Sequence, residues 1–452
     1  MQPKPALIVV VTFFCFLSAS LSARAQGGTD PRLERAASLI SGDRLADAEQ
    51  ELNAILKARP TDALALNLLG TVRAKQGRLD EAEALFTRAV RLDDKFAGAH
   101  MNLAYLYLLK NAPEKTVVEL RAVHRLVPED ADVSYKLAHL LLTLGRADEC
   151  VAVVEDARRA NQLTPPLTTL LGDAYLKKGD AGRAEESYKL ALGADANNPD
   201  ALLGLALVSQ SKGDAQSASA YLARVKPIVA DSPEMLYRFA VAALRSAMYD
   251  DAKAALERAA QLKPDEPAYF IALGAVWLKK PDLFEAERAF RQALKLQPDN
   301  PQAQMYLGYT LLKQKKLPEA RELLESSAKR DATAPETFYY LGLIAEEQNE
   351  DARAVELFGK SVGLAPSFAV AHIALGSTYL KLKDYERARQ ELETGVKLKP
   401  DDSKAHYNLA RLYALLKEPE RAKTEMAIVE KLKTAGQTQA QEADIAAPSS
   451  PR

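Results

Sequence analysis

Residues 268–300 read AYFIALGAVWLKKPDLFEAERAFRQALKLQPDN. The stretch holds two apolar-periodic segments of helical length. Pro267 stands before the first, Pro281 between them and Pro298 after the second. Proline suits the first turn of a helix, where its missing N–H would be unpaired anyway, and it cannot continue one. The segment therefore predicts helix A, a tight turn, helix B and a short turn. Within it Gly274 is followed twelve residues later by Ala286 and sixteen residues later by Phe290.

The same pattern recurs every 34 residues along the chain. Stepping from Gly274 in both directions meets Ala36, Gly70, Ala104, Ala138, Gly172, Ala206, Ala240, Gly308, Gly342, Gly376 and Ala410. The column twelve further on is Ala except for Thr116 and Cys150. The column sixteen further on is large and apolar throughout, from Leu52 and Phe86 to Leu392 and Met426. A small residue lets two helix backbones approach and a large one fills the remaining gap, so these columns predict close A–B packing. Helix starts repeat too. Pro165, Pro199, Pro233, Pro267, Pro301 and Pro335 share one register, and capping residues precede the start at Asp62, Asp130, Thr164, Asn198, Ser232, Asn300 and Asp402. Gly77, Gly145, Gly179 and Gly213 mark the turn between the helices.

Twelve such units fit, with position 1 of the first at Thr29 and position 34 of the last at Gly436. The columns resemble the tetratricopeptide repeat: Leu-Gly/Ala in helix A, an aromatic at position 11 (Tyr107, Tyr175, Trp277, Tyr379, Tyr413), Ala at 20, a large apolar residue at 24 and Pro at 32. The resemblance covers residues 29–436 and implies an all-α fold, an α-solenoid in which antiparallel helix pairs stack into a right-handed superhelix with a concave groove. Departures are Arg35 in the first unit, Ser209 and Gln210 in a loose sixth unit, and no further helix to cover the twelfth. Residues 437–452 read as a disordered tail, and an uncapped last unit leaves a surface through which copies of the chain could associate.

Composition narrows the function. At 452 residues with 48% hydrophobic and 27% charged residues, the chain is globular in composition and too long for one core. A net charge of −1 argues against a nucleic-acid partner. Lys4, the apolar run Ala6–Leu17 and the Ala23-Arg24-Ala25 motif form a secretory leader, with cleavage expected after Ala25. An uncleaved anchor is the alternative, for which the run is short. Nothing later is apolar enough to span a bilayer, so the expected location is extracytoplasmic, most simply periplasmic.

In the family that the chain resembles, helix-A positions 2, 5, 9, 12 and 13 line the groove and bind peptides or partner surfaces. Carried over residue by residue, the groove floor here is Met101, Tyr105, Tyr135, His139, Tyr237, Met305, Tyr309, Tyr339 and Tyr407, with Lys279 and Lys313 on a basic rim. Tyr and Met suit protein recognition, giving contact area at low entropic cost. The competing reading is that they only pack between helices. Acids at position 2 (Asp132, Asp200, Glu234, Glu336) and bases at position 13 read either as a polarised groove or as plain helix-dipole complementation, with Asp180, Asp214 and Asp282 expected to partner the lysines. The family's carboxylate clamp needs Lys at position 5, which no unit has; Asn102 and Asn408 lack the other members.

No chemistry stands out. His100, His372 and His406 fall at position 4 and read as packing residues rather than metal ligands. His124 reads as a helix-B residue between repeats. Cys150 reads as a buried small residue with no disulfide partner once the leader and its Cys15 are gone. No cofactor, metal or catalytic motif is expected. The residues point to a non-enzymatic protein-binding scaffold in envelope assembly, secretion or export. The alternative is an adaptor or chaperone holding extended clients, and an envelope-glycan ligand or catalytic role is the third reading.

Overall fold

A computed structural model describes residues 30–446, with side chains from 30 to 434. The leader read at 1–25 and the end of the chain beyond 446 lie outside the described residues. Among these, twenty-four α-helices follow one another in pairs and no strand occurs. Helix A is almost always 13 residues long and helix B 14, as in Pro267–Lys279 and Leu283–Leu296 of repeat 8.

The starts lie where the breakers and caps put them. All six prolines of the helix-A register occupy the first helical position. All seven capping side chains accept from a backbone N–H of the first turn, for example Asn300 from Ala303 and Asp62 from Ala65. Each such bond satisfies a donor that the helix leaves unpaired. The turn between helices A and B places position 15 in the left-handed region in eleven of the twelve repeats, from Asp43 (φ 56°) and Gly77 (φ 77°) to Lys417 (φ 61°).

Small and large columns meet as expected. The face of Gly70 lies against Phe86, that of Gly172 against Tyr188, that of Gly342 against Phe358 and that of Gly376 against Leu392. Within each of the chain's two compact units, each helix packs on its pair mate and on helices of the neighbouring repeats of that unit. That nearest-neighbour pattern is the one-dimensional architecture of a solenoid, in which no single repeat buries its own apolar face.

The chain divides into two compact units, one ending at Ile228 and one beginning at Val229. The first holds repeats 1–6, the second repeats 7–12. The division falls in the repeat that reads as loose. Its helix B, Ala215–Val225, has only 11 residues, and Pro227 stands where a last turn would need an N–H donor. At the far end the final helix runs Pro419–Ala446. It continues into the stretch 437–452 read as a disordered tail, so that reading is corrected as far as Ala446: the residues there, rich in Ala and Gln, are good helix formers.

Candidate partner-binding face

Position 5 of helix A does not form the continuous floor that its composition suggests. Met101 has no exposed surface and Met305 is 9% exposed. Asn67, Leu203, Ile271 and Ile373, at the same position, are buried as well. The adjacent repeat covers this position wherever the side chain is short or flexible. Met101 is therefore a packing residue and its assignment as a contact residue is corrected. Tyr105 likewise is buried in the core of the first unit. Tyrosines at position 5 behave differently: Tyr135 and Tyr407 are exposed, and Tyr237 and Tyr339 are half-buried. A rigid ring reaches past the seam between helices and brings its polar end to the surface.

In the first unit the exposed site is a pair. Tyr135 and His139 stack with ring centroids 5.9 Å apart, one helical turn from each other. The second unit carries a larger cluster on helix A of repeats 9 and 10 (Pro301–Lys313 and Pro335–Glu347). The Tyr309 ring lies 4.7 Å from that of Tyr340, and Tyr340 lies 5.6 Å from Tyr339. Tyr339 meets Phe368 edge-on at 5.5 Å. Tyr306 stacks on Phe290 at 5.5 Å. The Lys313 ammonium sits over the Tyr309 ring, 5.6 Å from its centroid, as a cation–π contact. Burial pushes the Tyr339 and Tyr340 phenols up, so both stay protonated and can donate. Tyr306, Tyr340 and Phe368 lie outside positions 5 and 9 and were not anticipated. Their signal was the local density of aromatics at 306, 309, 339 and 340.

The polarised rim resolves into local pairing. Lys177 donates to the Leu142 carbonyl at 2.7 Å, near the end of the preceding repeat's helix A. Lys381 pairs with Asp351 at 2.6 Å. On the acidic side Asp132 pairs with Lys136, and Glu234 lies 3.7 Å from Lys263. Lys279 and Lys313 are exposed. Asp180, Asp214 and Asp282 do not partner the lysines. They cap helix B, accepting from the N–H groups of Arg183, Ser217 and Glu285, because each directly precedes a helix start.

The three position-4 histidines share one arrangement. Nδ1 of His100 lies 2.6 Å from Glu119, that of His372 2.6 Å from Glu391, and that of His406 2.5 Å from Glu425. Nε2 faces the carbonyl of Asp94, Pro366 or Pro400. Each ring clips helix A to its own helix B and to the preceding turn. The pairing was legible in the sequence, since Glu follows each of these histidines by nineteen residues. Glu119 raises the His100 pKa by accepting from the ring. His124 is buried and lies 3.1 Å from Ser134 Oγ of the following repeat. Cys150 is buried and unpaired, and burial pushes its thiol up to about 12. Among the described residues no group of three or more His, Cys, Asp or Glu is placed to hold a metal.

Models of the tetratricopeptide repeat match residues 33–95, 75–115, 132–156, 175–237, 233–266, 282–335 and 343–412, more than half of the chain taken together. The chain belongs to the tetratricopeptide repeat family. Asn102 and Asn408, which in some tetratricopeptide arrays would serve a clamp, here bond to the preceding repeat, at Asn67 Oδ1 (2.9 Å) and Ser377 Oγ (2.6 Å).

Among curated proteins these repeats are similar to the cellulose synthase operon protein C of Xanthomonas axonopodis pv. citri, 31% identical over 41% of this chain and 10% of that protein. They are also similar to the cellulose synthase 1 operon protein C of Komagataeibacter xylinus, 28% identical over 42% of this chain and 12% of that protein. The match thus spans about a tenth of the length of these relatives. Similar solved structures include Pseudomonas aeruginosa pilF (TM-score 0.42, 21% identity, 46% of this chain and 97% of that one). Another is the Cut9-Hcn1 hetero-tetramer of the APC/C (TM-score 0.46, 15% identity, 88% and 92%). No described helix of the tetratricopeptide array is long and apolar enough to cross a membrane.

Proposed function

We propose that this chain is a non-enzymatic scaffold acting outside the cytoplasm, and that its helix-A face in repeats 9 and 10 holds an extended segment of a partner protein. The observation that carries this reading is the cluster of Tyr309, Tyr339, Tyr340 and Phe368 beside Lys313. Rigid aromatic rings with protonated hydroxyls offer area and hydrogen bonds together, which is the composition of energetic centres in protein interfaces. The leader-like first 25 residues support the extracytoplasmic setting. The relatives named for cellulose synthase operons support a setting in the production or export of an envelope polysaccharide.

Tyr309→Ala with Tyr340→Ala tests it. Cross-linking of the wild-type chain in intact envelopes should yield one stoichiometric protein partner, and the double variant should bind that purified partner at least tenfold more weakly with its helical content unchanged. Equal binding by both would overturn the reading. A second reading, a chaperone for extended clients, is supported by the exposed tyrosines at Tyr135 and Tyr407, far from the cluster in sequence. Comparable yields of many unrelated cross-linked proteins, all lost together on substitution, would favour it.

A further inference from the structure

Position 18, at the start of helix B, is acidic in many repeats, and the acid reaches across to a base in the next repeat. Asp80 pairs with Lys110 at 2.6 Å, Glu114 with Arg146 at 2.8 Å, Asp148 with Lys178, and Asp250 with Lys280 at 2.6 Å. Six of the twelve repeats carry no acid there, and repeat 8 is one of them. Its position 18 is Phe284, with Gln314 thirty residues further on and Lys316 thirty-two further on. Phe284 is 72% exposed, more than any other large apolar side chain among the described residues. Where four other repeats close this junction with an ion pair, repeat 8 leaves an aromatic ring in water.

The ring borders a cavity of about 530 Å³ lined by Phe284, Glu287, Arg288, Arg291, Gln314 and Lys316. Three cations and one carboxylate line it, and they are not equally visible. Arg291 and Lys316 close over Glu287 at 2.8 and 2.9 Å, leaving its side chain 14% exposed, while theirs remain 43% and 50% exposed. Arg288, paired with Glu285 at 2.6 Å, is 72% exposed against 22% for the acid. Arg291 also reaches Glu319 at 2.6 Å, an acid as exposed as itself. The surface shown to solvent is thus positive around an apolar ring, although the local charges nearly balance. Gln314 Nε2 donates to the Leu283 carbonyl at 3.1 Å, and its Oε1 is buried without a partner. An adjoining cavity of about 450 Å³ shares Arg288 and adds Trp277 and Phe270 as aromatic wall.

We infer that this junction of repeats 8 and 9 is a second docking surface, separate from the tyrosine face, for an acidic segment of a partner protein that carries a large apolar side chain. The apolar side chain packs on Phe284. The flanking carboxylates reach Arg288, Arg291 and Lys316, where guanidinium groups favour paired bonds to a carboxylate. The charge of these groups makes binding sensitive to salt.

Phe284→Asp is the informative variant because it places there the acid that six other repeats carry at this position, at a helix start where an acid is favourable. A displayed library of random dodecapeptides would be selected on the wild-type chain and counter-selected on this variant. The expected winners place Asp or Glu beside Phe, Leu or Trp. The best of them, as a synthetic peptide, should bind the wild type at least tenfold more tightly than Phe284→Asp or Arg288→Glu/Lys316→Glu. Its affinity should fall as salt rises, and Tyr309→Ala/Tyr340→Ala should not change it. That last arm separates this surface from the one proposed above. No enrichment over the counter-selection, winners that are basic or lack acids, or equal binding to Phe284→Asp would each overturn the inference. So would sedimentation showing that the wild type self-associates through Phe284, which would make the junction a contact between copies of the chain.

Discussion

A Cβ added to Gly274 would lie 2.4 Å from Cε1 of Phe290, a distance that no packed carbon tolerates. The relation is systematic. Where position 24 is aromatic, at Phe86, Tyr188, Phe290 and Phe358, position 8 is Gly; where it faces Ala, as at Ala104 and Ala206, position 24 is aliphatic. The ring needs the space that the missing Cβ leaves. Gly274→Ala should therefore destabilise by about 1–3 kcal/mol through overpacking. Adding Phe290→Leu, the combination other repeats use, should recover part of that loss. Urea unfolding, with amide exchange in repeat 8, measures both; a neutral single substitution would contradict the packing described.

The His100 clip predicts a pH dependence. Its ring nitrogens face Glu119 Oε2 at 2.6 Å and the Asp94 carbonyl at 3.2 Å, so the doubly protonated ring satisfies both acceptors. Folding raises its pKa. The stabilisation is therefore fully present below the unfolded value of about 6.5 and is lost as pH rises through the raised folded value. Melting curves should show a decline beginning near neutral pH. Glu119→Gln should flatten that decline and cost about 1–3 kcal/mol at pH 6, the worth of a hydrogen bond to a charged group.

The A–B turns carry correctable strain. Lys383 holds φ 62° and Lys315 φ 62°, where Gly77 and Gly145 hold φ 77° at the same position with nothing within 4 Å of an added Cβ. A side chain makes the left-handed region costly. Lys383→Gly should stabilise by about 0.5–1 kcal/mol, the relief of strain being partly offset by the greater freedom of glycine in the unfolded chain. A rise in melting temperature checks it, and a fall would show that the Lys383 side chain contributes more than its backbone costs.

Cys150 should resist thiol reagents in the native chain, because it is buried and its thiol is held up to about 12, leaving almost no thiolate at neutral pH. Labelling should proceed only through opening of repeat 4 and should accelerate in step with urea well before global unfolding if that repeat opens alone. Rapid labelling without urea would place the thiol at the surface.

The periodic features were legible because they are local. A capping side chain bonds within its own first turn, a proline acts on its own backbone, and a Gly–Phe pair lies within one helix hairpin. Their spacing alone therefore determined the helix starts, the repeat register and the packing columns. The candidate partner face was legible only in part. Tyr309 and Tyr339 stand at the groove positions read from the register, but Met101, at the equivalent of Tyr339, is buried, and Tyr340 joins the cluster from position 6, which the register does not count among those lining the groove. Exposure at a given position depends on the length of its side chain relative to what the adjacent repeat lays over it, and two sequences must be packed together before that comparison exists. The tertiary structure alone also decided that Glu287 lies beneath Arg291 and Lys316 while Phe284 stands in solvent, because charge balance can be counted along a chain whereas the charge shown to a partner depends on which groups cover which.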